Sequence, residues 1–360
     1  MSAKLLLLFG GMSPEHAISI RSARNIFSAI NREKYQVQLV GIAQDGSWHA
    51  VSEADFLQEE LIIGQPARPL CLVPGTDQPI RFLHETGELQ KPDVVFPITH
   101  GPYGEDGSLQ GILRHLQVPF VGPDVLGSAA SMDKDICKRL LREADLLVAD
   151  SFTFHHFEKD AIDFHAIVNR LGLPLFIKPA NMGSSVGVSK VESHAEFTAA
   201  IHEAFRYDHK IIVEEGLVGR ELECAVMGNG EIAATTVGEV ITGPVHYDYE
   251  SKYLSDDAAK VVIPAENIDD QMLAKLMLIA KNAYQVLGCE GLARVDMFLC
   301  EDGRVYINEV NTLPGFTSIS MYPKLWEAVG TPYSELIDLL IDLALERGKR
   351  EAKLEKKLNL

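Results

Sequence analysis

Two short segments near the end of the chain carry charged and amide side chains at two-residue spacing. Arg294 and Asp296 are two residues apart, and so are Glu309 and Asn311. Residues two apart on a β-strand project from the same face, so a hairpin of these segments would gather Asp296, Glu309 and Asn311. Carboxylate and amide oxygens suit Mg²⁺, which often shares its coordination shell with phosphates. Because the neighbouring residues are apolar, we favour a metal site over a solvated hairpin surface.

A glycine- and serine-rich segment, Lys178–Val188, lies between two apolar runs. Gly183 and Gly187 permit close approach of the backbone, and successive N–H groups in such a turn form an anion-binding concavity. The segment matches neither the P-loop nor the G-x-G-x-x-G pattern. Taken alone it is also typical of a flexible hairpin turn. Lys178, at the end of an apolar run, favours a phosphate site.

Two further loops, Phe9–His16 and Thr99–Gly111, each follow an apolar run and lead into a helical pattern. The N–H groups and dipole at such a helix start favour an anion or a carboxylate. Glu15 could instead merely complement the helix dipole, and His16 and His100 could be structural histidines. Two such loops at neighbouring strand ends would share one crevice, which favours a functional site there.

The first third of the chain alternates strand and helix patterns, which indicates an open α/β sheet with ligand sites beyond the carboxyl ends of its strands. Ser13 suits the N-cap and Pro14 the first position of the first helix. We predict strands at Lys4–Phe9, Tyr35–Ala43, Asp93–Ile98 and Pro119–Val121, and a helix over Gly107–Leu116.

The remaining two thirds read as two α+β units. The segment Thr242–Lys260 is polar and aromatic without a clean period, which is typical of a lid. We predict helices over Ser131–Ala144, Ala195–Phe205, Gln271–Leu287 and Pro332–Arg347, and strands at Leu175–Lys178, Gly187–Val191, Lys210–Glu215, Leu222–Met227, Leu292–Phe298 and Val305–Val310.

Length and composition narrow the class of protein. A chain of 360 residues is too long for one compact core and predicts two or three domains. The formal net charge of -18 argues against a nucleic-acid partner but not against a nucleotide. No apolar run approaches the roughly 20 residues of a membrane span. The five cysteines are scattered, without a C-x-x-C pair, so we expect a cytoplasmic protein.

Taken together and in order, the motifs resemble those of the D-alanine–D-alanine ligase family of the ATP-grasp fold. The match covers nearly the whole chain, and its last two motifs are highly specific. The matching stretches are FGGMSPEH, HGPYGEDGSLQG, KPANMGSSVGVSKV, EEGLVGRELECAV, YDYESKY, GLARVDMF and INEVNTLPGFTSISMYPKL.

The resemblance implies a three-domain α/β architecture of the ATP-grasp type. An N-terminal open-sheet domain, residues 1–128, would bind substrate. Two α+β domains, residues 129–215 and 216–360, would clamp ATP, and the second would bind metal and carry the lid 242–260. The segment Gln44–Gln90 is longer than in the shortest family members. The implied reaction joins two D-alanine molecules through a D-alanyl phosphate, for peptidoglycan precursor synthesis, in a homodimer.

The resemblance also assigns nucleotide and metal ligands. Lys138 and Lys178 would hold phosphates, and Lys252 would reach the terminal phosphate. Two Mg²⁺ ions, or Mn²⁺ in their place, would be bound by Asp296, Glu309 and Asn311. The other nucleotide contacts would be Glu214 and Leu217 at the adenine, Glu221 at the ribose, and Ser185, Val186, Glu215, Phe298 and Asn308.

A second group of residues would bind the amino acids. Glu15 would orient the ammonium of the first D-alanine, with Ser184 and Tyr253 linked to it by hydrogen bonds. Ser320 and the N–H of Met321 would hold the carboxylate of the second. The oxyanion would be stabilised by Arg294 and the N–H of Gly315, with His100 near the substrates.

Three alternatives stay open at this point. Close relatives form D-alanyl-D-lactate or D-alanyl-D-serine; the lactate-forming members typically have histidine where this chain has Tyr253, which favours the dipeptide. A non-catalytic nucleotide-binding protein is disfavoured because the metal and lid residues are complete. The proton acceptor for the second amine is either His100 or the hydroxyl network of Ser184 and Tyr253.

Overall fold

The computed structural model describes residues 2–84, 89–242 and 259–355. They form three sheets of four or five strands, each covered by helices, and one separate hairpin. This agrees with the predicted α/β class. The domain boundaries at 128 and 215 stay a prediction. Among the residues described, none of the helices is both long enough and apolar enough to cross a membrane.

The N-terminal sheet has the strand order β3-β2-β1-β6. Strand β1 is parallel to β2 and β6, while β3 is antiparallel to β2. Leu5 to Phe9 of β1 are fully buried, as a central parallel strand requires. The sheet elements and the helices around them are β1 (Ala3–Gly10), α1 (His16–Ala29), β2 (Tyr35–Ile42), β3 (Trp48–Val51), α2 (Glu53–Phe56), the β4 (Leu70–Leu72) and β5 (Ile80–Phe82) hairpin, β6 (Val94–Pro97) and α3 (Ser108–Leu116).

Two details of this domain differ from the prediction. Ser13 is not the N-cap and Pro14 is not the first helical residue, because α1 begins at His16 and Glu15 is the capping position. The Ser13 hydroxyl instead donates to the carbonyl of His100 at 2.6 Å, which ties the first loop to the neighbouring one. The predicted strand at Pro119–Val121 is reduced to one parallel bridge, between Val95 and Phe120.

The central sheet has the order β7-β10-β8-β9, with antiparallel pairs throughout. The predicted pairing of the two strands around the glycine-rich segment is confirmed. Strand β7 and helix α6 were not predicted. The elements are α4 (Val125–Met132), α5 (Lys134–Glu143), β7 (Ser151–His155), a 3₁₀ turn (His156–Ala161), α6 (Phe164–Leu171), β8 (Leu175–Pro179), β9 (Ser189–Val191), α7 (His194–Ala204) and β10 (Lys210–Glu215).

The prediction of one helix over Ser131–Ala144 is wrong. Helix α4 ends at Met132 and α5 begins at Lys134. Asp133 separates them in an extended conformation, and its carboxylate accepts hydrogen bonds from the N–H groups of Asp135 and Ile136, both at 3.1 Å. An aspartate that caps the following turn in this way starts a new helix.

The C-terminal sheet has the order β13-β12-β11-β14-β15 and is antiparallel. The predicted β14–β15 hairpin is confirmed; strand β12 was not predicted. Apart from its two ends, the predicted lid Thr242–Lys260 lies outside the described residues. The elements are β11 (Gly219–Gly228), β12 (Ala233–Thr242), β13 (Ala259–Val262), α8 (Asp270–Val286), β14 (Gly291–Cys300), β15 (Val305–Asn311), α9 (Met321–Ala328) and α10 (Tyr333–Ala352).

Candidate active site

The first loop and the glycine-rich loop meet at Glu15. The hydroxyl of Ser184 donates to one oxygen of the Glu15 carboxylate. A Cβ built on Gly101 would lie 2.8 Å from the other oxygen, and one on Gly183 would lie 3.0 Å from it. Gly101 also has a φ of +72°, which favours glycine, and both glycines leave room for the carboxylate beside their backbones. Glu15 is only 7% exposed, so this carboxylate is held inside the crevice that the sequence predicts.

A lysine cluster, formed by Lys138, Lys178 and Glu214, joins helix α5 to strands β8 and β10 of the central sheet. The Glu214 oxygens lie 3.0 Å from Lys138 Nζ and 2.7 Å from Lys178 Nζ. Burial alone would raise the pKa of Glu214, but the two ammonium groups outweigh it and lower that pKa to about 2. Burial lowers the pKa of Lys138 despite its acidic partner. Two buried cations around one carboxylate favour the binding of a further anion.

An arginine cluster lies on the C-terminal sheet, formed by Arg294, Asp296, Glu223 and Asn311. Arg294 donates to both oxygens of Asp296 at 2.7 Å, and its Nε lies 2.8 Å from a Glu223 oxygen. The Asn311 amide donates to Asp296 at 2.9 Å. Burial would lower the pKa of Arg294, but the two acidic groups raise it well above its ordinary value. The predicted convergence on one face of the hairpin is present for these side chains.

Glu309 connects the two clusters. Its backbone is the register partner of Asp296 across the hairpin. Lys134 Nζ lies 3.7 Å from a Glu309 oxygen and also donates to the carbonyl of Met182, in the glycine-rich loop, at 2.7 Å. Lys178 of the lysine cluster donates to the side-chain oxygen of Asn308 at 3.4 Å. The central and C-terminal sheets therefore share polar contacts along one seam.

The chemistry of the donor set fits a hard divalent cation. Asp296, Glu309 and Asn311 offer carboxylate and amide oxygens, and each carboxylate has about four lone-pair positions, so Asp296 keeps acceptor capacity beside Arg294. Within the described ranges, no group of three or more His, Cys, Asp or Glu side chains is placed to hold a metal. The predicted set of Asp296, Glu309 and Asn311 is not a group of that kind, because its third member is an asparagine amide.

His100 is buried between two loops. Its Nδ1 lies 2.9 Å from the carbonyl oxygen of Leu313, and its Nε2 lies 3.3 Å from the hydroxyl of Ser22. Burial lowers the pKa of the imidazole, and because a carbonyl oxygen only accepts, Nδ1 is the donor to Leu313. Both ring nitrogens therefore have protein partners, as in a histidine that holds neighbouring loops in position.

The loop before α9 forms a compact turn around Ser320. The Ser320 hydroxyl accepts from the N–H of Thr317 at 2.9 Å and lies 2.8 Å from the Thr317 hydroxyl. A Cβ on Gly315 would lie 2.8 Å from the Ser320 oxygen, so this position needs glycine. Met321 is the first residue of α9, where N–H groups without a partner inside the helix favour a carboxylate.

The remaining predicted nucleotide contacts lie on strands β10, β11 and β14, in the loop after β10 and in the glycine-rich turn. Glu221 is the register partner of Phe298 on the neighbouring strand. In the glycine-rich turn the N–H of Val186 donates to the carbonyl of Gly183, and Ser185 lies within the turn that this hydrogen bond closes. Glu215 accepts from the N–H of Asp150 at 2.8 Å, and Leu217 follows it, partly exposed. Lys252 and Tyr253 lie outside the described residues.

The sequence interpretation missed three polar residues at the site: Lys134, Glu223 and Glu105. Lys134 precedes Lys138 by four residues, a spacing that places both on one face of α5. Glu223 is the register partner of Asp296, a pairing across distant segments that no local pattern signals. Burial and the charge of Glu15 raise the pKa of Glu105 to about 8, against two backbone N–H donors that lower it.

Comparisons with known proteins identify the family that this chain resembles. Family models described as the D-ala D-ala ligase N-terminus and C-terminus match residues 4–123 and 140–342. A protein of Proteus mirabilis named D-alanine–D-alanine ligase is 49% identical, over 99% of this chain and 99% of that protein.

Solved structures show the same fold. The D-alanine–D-alanine ligase of Coxiella burnetii aligns with a TM-score of 0.86 at 36% identity, over 98% of each chain. The VanG D-Ala:D-Ser ligase of Enterococcus faecalis also aligns with a TM-score of 0.86 at 36% identity, over 96% of this chain and 100% of that chain. These similarities confirm the predicted ATP-grasp fold.

Proposed function

Because this chain belongs to the D-alanine–D-alanine ligase family, we propose that it joins two D-alanine molecules into D-alanyl-D-alanine with the conversion of ATP to ADP and phosphate. The observation that carries the proposal is the meeting of three features at one seam. They are the Glu15–Ser184 pair, the cation-rich lysine cluster and the acid-rich arginine cluster. An amino acid and a nucleotide need such sites side by side.

The first step activates a carboxylate, which repels nucleophiles because of its charge. Glu15 binds the ammonium group of the first D-alanine, and the γ-phosphoryl group of ATP passes to the carboxylate of that D-alanine. An O–P bond to the substrate forms as the bond to ADP breaks. Such transfers depend on positioning and charge neutralisation, which Lys138 and Lys178 supply. Lys252 takes the terminal phosphate by resemblance.

In the second step the amine of the second D-alanine attacks the acyl carbon, and negative charge grows on the carbonyl oxygen. Arg294 and the N–H of Gly315 stabilise that oxygen, a role typically worth about 2.7–4 kcal/mol per donor. Ser320 and the N–H of Met321 hold the carboxylate of the incoming D-alanine. A C–N bond forms, the C–O bond to phosphate breaks so that inorganic phosphate leaves, and the ammonium group of the second D-alanine loses two of its three protons.

The hydroxyl network is the better candidate for guiding the proton of the second amine. His100 is buried, with its two ring nitrogens close to the Leu313 carbonyl and the Ser22 hydroxyl. This arrangement favours a positioning role for His100. The Ser184 hydroxyl already donates to Glu15, and Tyr253 belongs to the same network by resemblance. The lid 242–260 would exclude water, which would otherwise hydrolyse the acyl phosphate.

Mg²⁺ is part of the same proposal, with Mn²⁺ as its substitute. Asp296, Glu309 and Asn311 would hold two ions, which supply charge neutralisation at the phosphates of bound ATP. The hard oxygen donors and the neighbouring lysines support this assignment. We also propose a cytoplasmic homodimer that serves peptidoglycan precursor synthesis, as the family resemblance implies.

A product assay tests the function. The purified chain with ATP and Mg²⁺ should release ADP and form D-alanyl-D-alanine from D-alanine, with no ADP release from L-alanine. Equal mixtures of D-alanine with D-serine or D-lactate, run across a pH series, compare the three products. Mainly D-alanyl-D-serine or D-alanyl-D-lactate would replace the proposed specificity. ADP release that is independent of any D-amino acid would contradict a ligase.

A further inference from the structure

Glu105 lies in the Thr99–Gly107 loop, and none of the steps above assigns it a role. Its carboxyl group joins two loops that are far apart in sequence. One oxygen accepts a hydrogen bond from the N–H of Leu313 at 2.9 Å, and the other accepts from the N–H of Gly101 at 2.7 Å. Glu105 therefore links the N-terminal domain to the loop that follows strand β15.

The carbonyl group of the same residue, Leu313, is also bound. The carbonyl oxygen of Leu313 accepts from His100 Nδ1 at 2.9 Å, so one loop contacts both the N–H and the C=O of Leu313. Three residues further on, the N–H of Phe316 donates to the hydroxyl of Ser22 at 3.2 Å. Three backbone atoms around Gly315 are thus fixed by side chains of the N-terminal domain.

We infer that Glu105 is a positioning residue that fixes the N–H of Gly315 where the oxyanion develops, acting through Leu313. This inference rests on the proposed ligase function. Gly315 itself has no Cβ to lock its conformation, so its orientation depends on the anchored residues on either side. Misplacement of a catalytic donor by about 1 Å can reduce a rate roughly 10²-fold.

Glu105→Gln is the direct test. The glutamine keeps one oxygen acceptor and replaces the other with an NH₂ group, which cannot accept a hydrogen bond. One of the two N–H contacts is therefore lost at nearly unchanged volume. The matched control is Asp106→Asn. Asp106 also accepts from two backbone N–H groups, those of Tyr103 and Ser108, both at 2.9 Å, but one partner lies in its own loop and the other is the first residue of the helix that follows.

Two measurements separate a positioning role from a merely structural one. The first is the split between kcat and the KM for ATP. The second is the affinity for a phosphinate dipeptide whose tetrahedral phosphorus mimics the reacting carbon, since transition-state analogues report on donors that act at that stage. Glu105→Gln should lower kcat and phosphinate affinity together by about 10- to 100-fold, leaving the KM for ATP within about twofold. Asp106→Asn should change neither by more than about threefold.

Three results would overturn the inference: a Glu105→Gln variant with wild-type kcat, an unchanged phosphinate affinity despite a lower kcat, or an equal loss in Asp106→Asn. If Glu105→Gln does not fold, Ser22→Ala releases the same loop at Phe316 and should give the same split. A Ser22→Ala variant with wild-type kcat and phosphinate affinity would then reject the inference. Absence of D-alanine-dependent ADP release from the unaltered chain would instead contradict the proposed function itself.

Discussion

The lysine cluster and the arginine cluster are both buried groups of charged side chains, but they carry an excess of opposite sign. The arginine cluster lies within one sheet and the lysine cluster lies between a sheet and helix α5, and each is largely buried, with Lys138 and Arg294 side chains 3% and 12% exposed. The lysine cluster sets two ammonium groups against Glu214. The arginine cluster sets one guanidinium against Asp296 and Glu223. One is rich in cations and the other is rich in carboxylates.

This difference fits a ligand that carries both signs of charge. A magnesium nucleotide presents phosphates to cations and a metal to carboxylates. The contacts of Lys178 with Asn308 and of Lys134 with Glu309 place the two clusters side by side. Buried charges are expensive unless they are paired, so the complementary excess on the two sheets is better explained by binding than by stability.

The largest expected effect comes from Arg294→Met. Both Asp296 and Glu223 would lose the guanidinium between them, and breaking a buried pair typically costs about 3–5 kcal/mol. We expect a loss of that size in the free energy of unfolding, measured with urea, together with the loss of ligase turnover. A variant as stable as the unaltered chain would show that the arginine cluster is not held by this cation.

Lys138→Met should change the free energy of unfolding little and weaken ATP binding strongly. Glu214 keeps its 2.7 Å contact with Lys178, and a buried ammonium group is removed, so the free energy of unfolding should change by no more than about 1 kcal/mol. The KM for ATP should rise by roughly 10- to 100-fold, because a charge-assisted contact is worth about 1.5–3 kcal/mol. Unfolding measurements and steady-state kinetics on the same preparation check both halves. A large loss in the free energy of unfolding would show that Lys138, like Arg294, stabilises the fold, and would contradict the difference proposed between the two clusters.

The acid dependence of stability gives a third, smaller effect. The folded pKa of Glu214 is lowered from 4.5 to about 2, so its stabilising contribution is complete above pH 4.5 and is lost as the pH falls towards 2. The difference in unfolding free energy between the unaltered chain and Glu214→Gln should therefore narrow over that window. Urea unfolding at several pH values measures the difference. A difference that stays constant from pH 6 to pH 2.5 would contradict the assigned ion pairs.

The smallest effect should come from an exposed ion pair outside the two clusters. Arg206 and Glu203 lie 2.8 Å apart on the surface, with side chains 69% and 40% exposed. Solvent screens such pairs, so Arg206→Ala should leave the urea midpoint and the ATP kinetics unchanged. A clear shift in either would mean that the effects at the two clusters are not specific to buried charge.

Local patterns predicted much of this site. The β14–β15 hairpin and its facing acidic residues follow from two-residue alternation within one short stretch, and the glycine-rich turn follows from its flanking strands. The order of the motifs predicted the fold because many separate stretches match the family in the same sequence order. These features depend on residues that are close in sequence.

The missed features depend on distant or subtle contacts. Glu223 joins the arginine cluster only because β11 pairs with β14, some 70 residues later. The break between α4 and α5 depends on one capping aspartate, Asp133, inside a helical pattern. The Ser13 hydroxyl donates to the His100 carbonyl and does not cap α1. Tertiary contacts of this kind override local propensity and leave no periodic signal.

The central claim is that the carboxylate-rich side of the seam binds a metal that accompanies the nucleotide. Titration calorimetry with a non-hydrolysable ATP analogue, with and without Mg²⁺, tests it on the unaltered chain and on Glu309→Gln. We predict that Mg²⁺ increases the affinity of the unaltered chain by at least about 10-fold, equivalent to 1.4 kcal/mol, and that Glu309→Gln removes most of that increase while keeping the same fold by circular dichroism. An equal increase in both proteins would contradict the account.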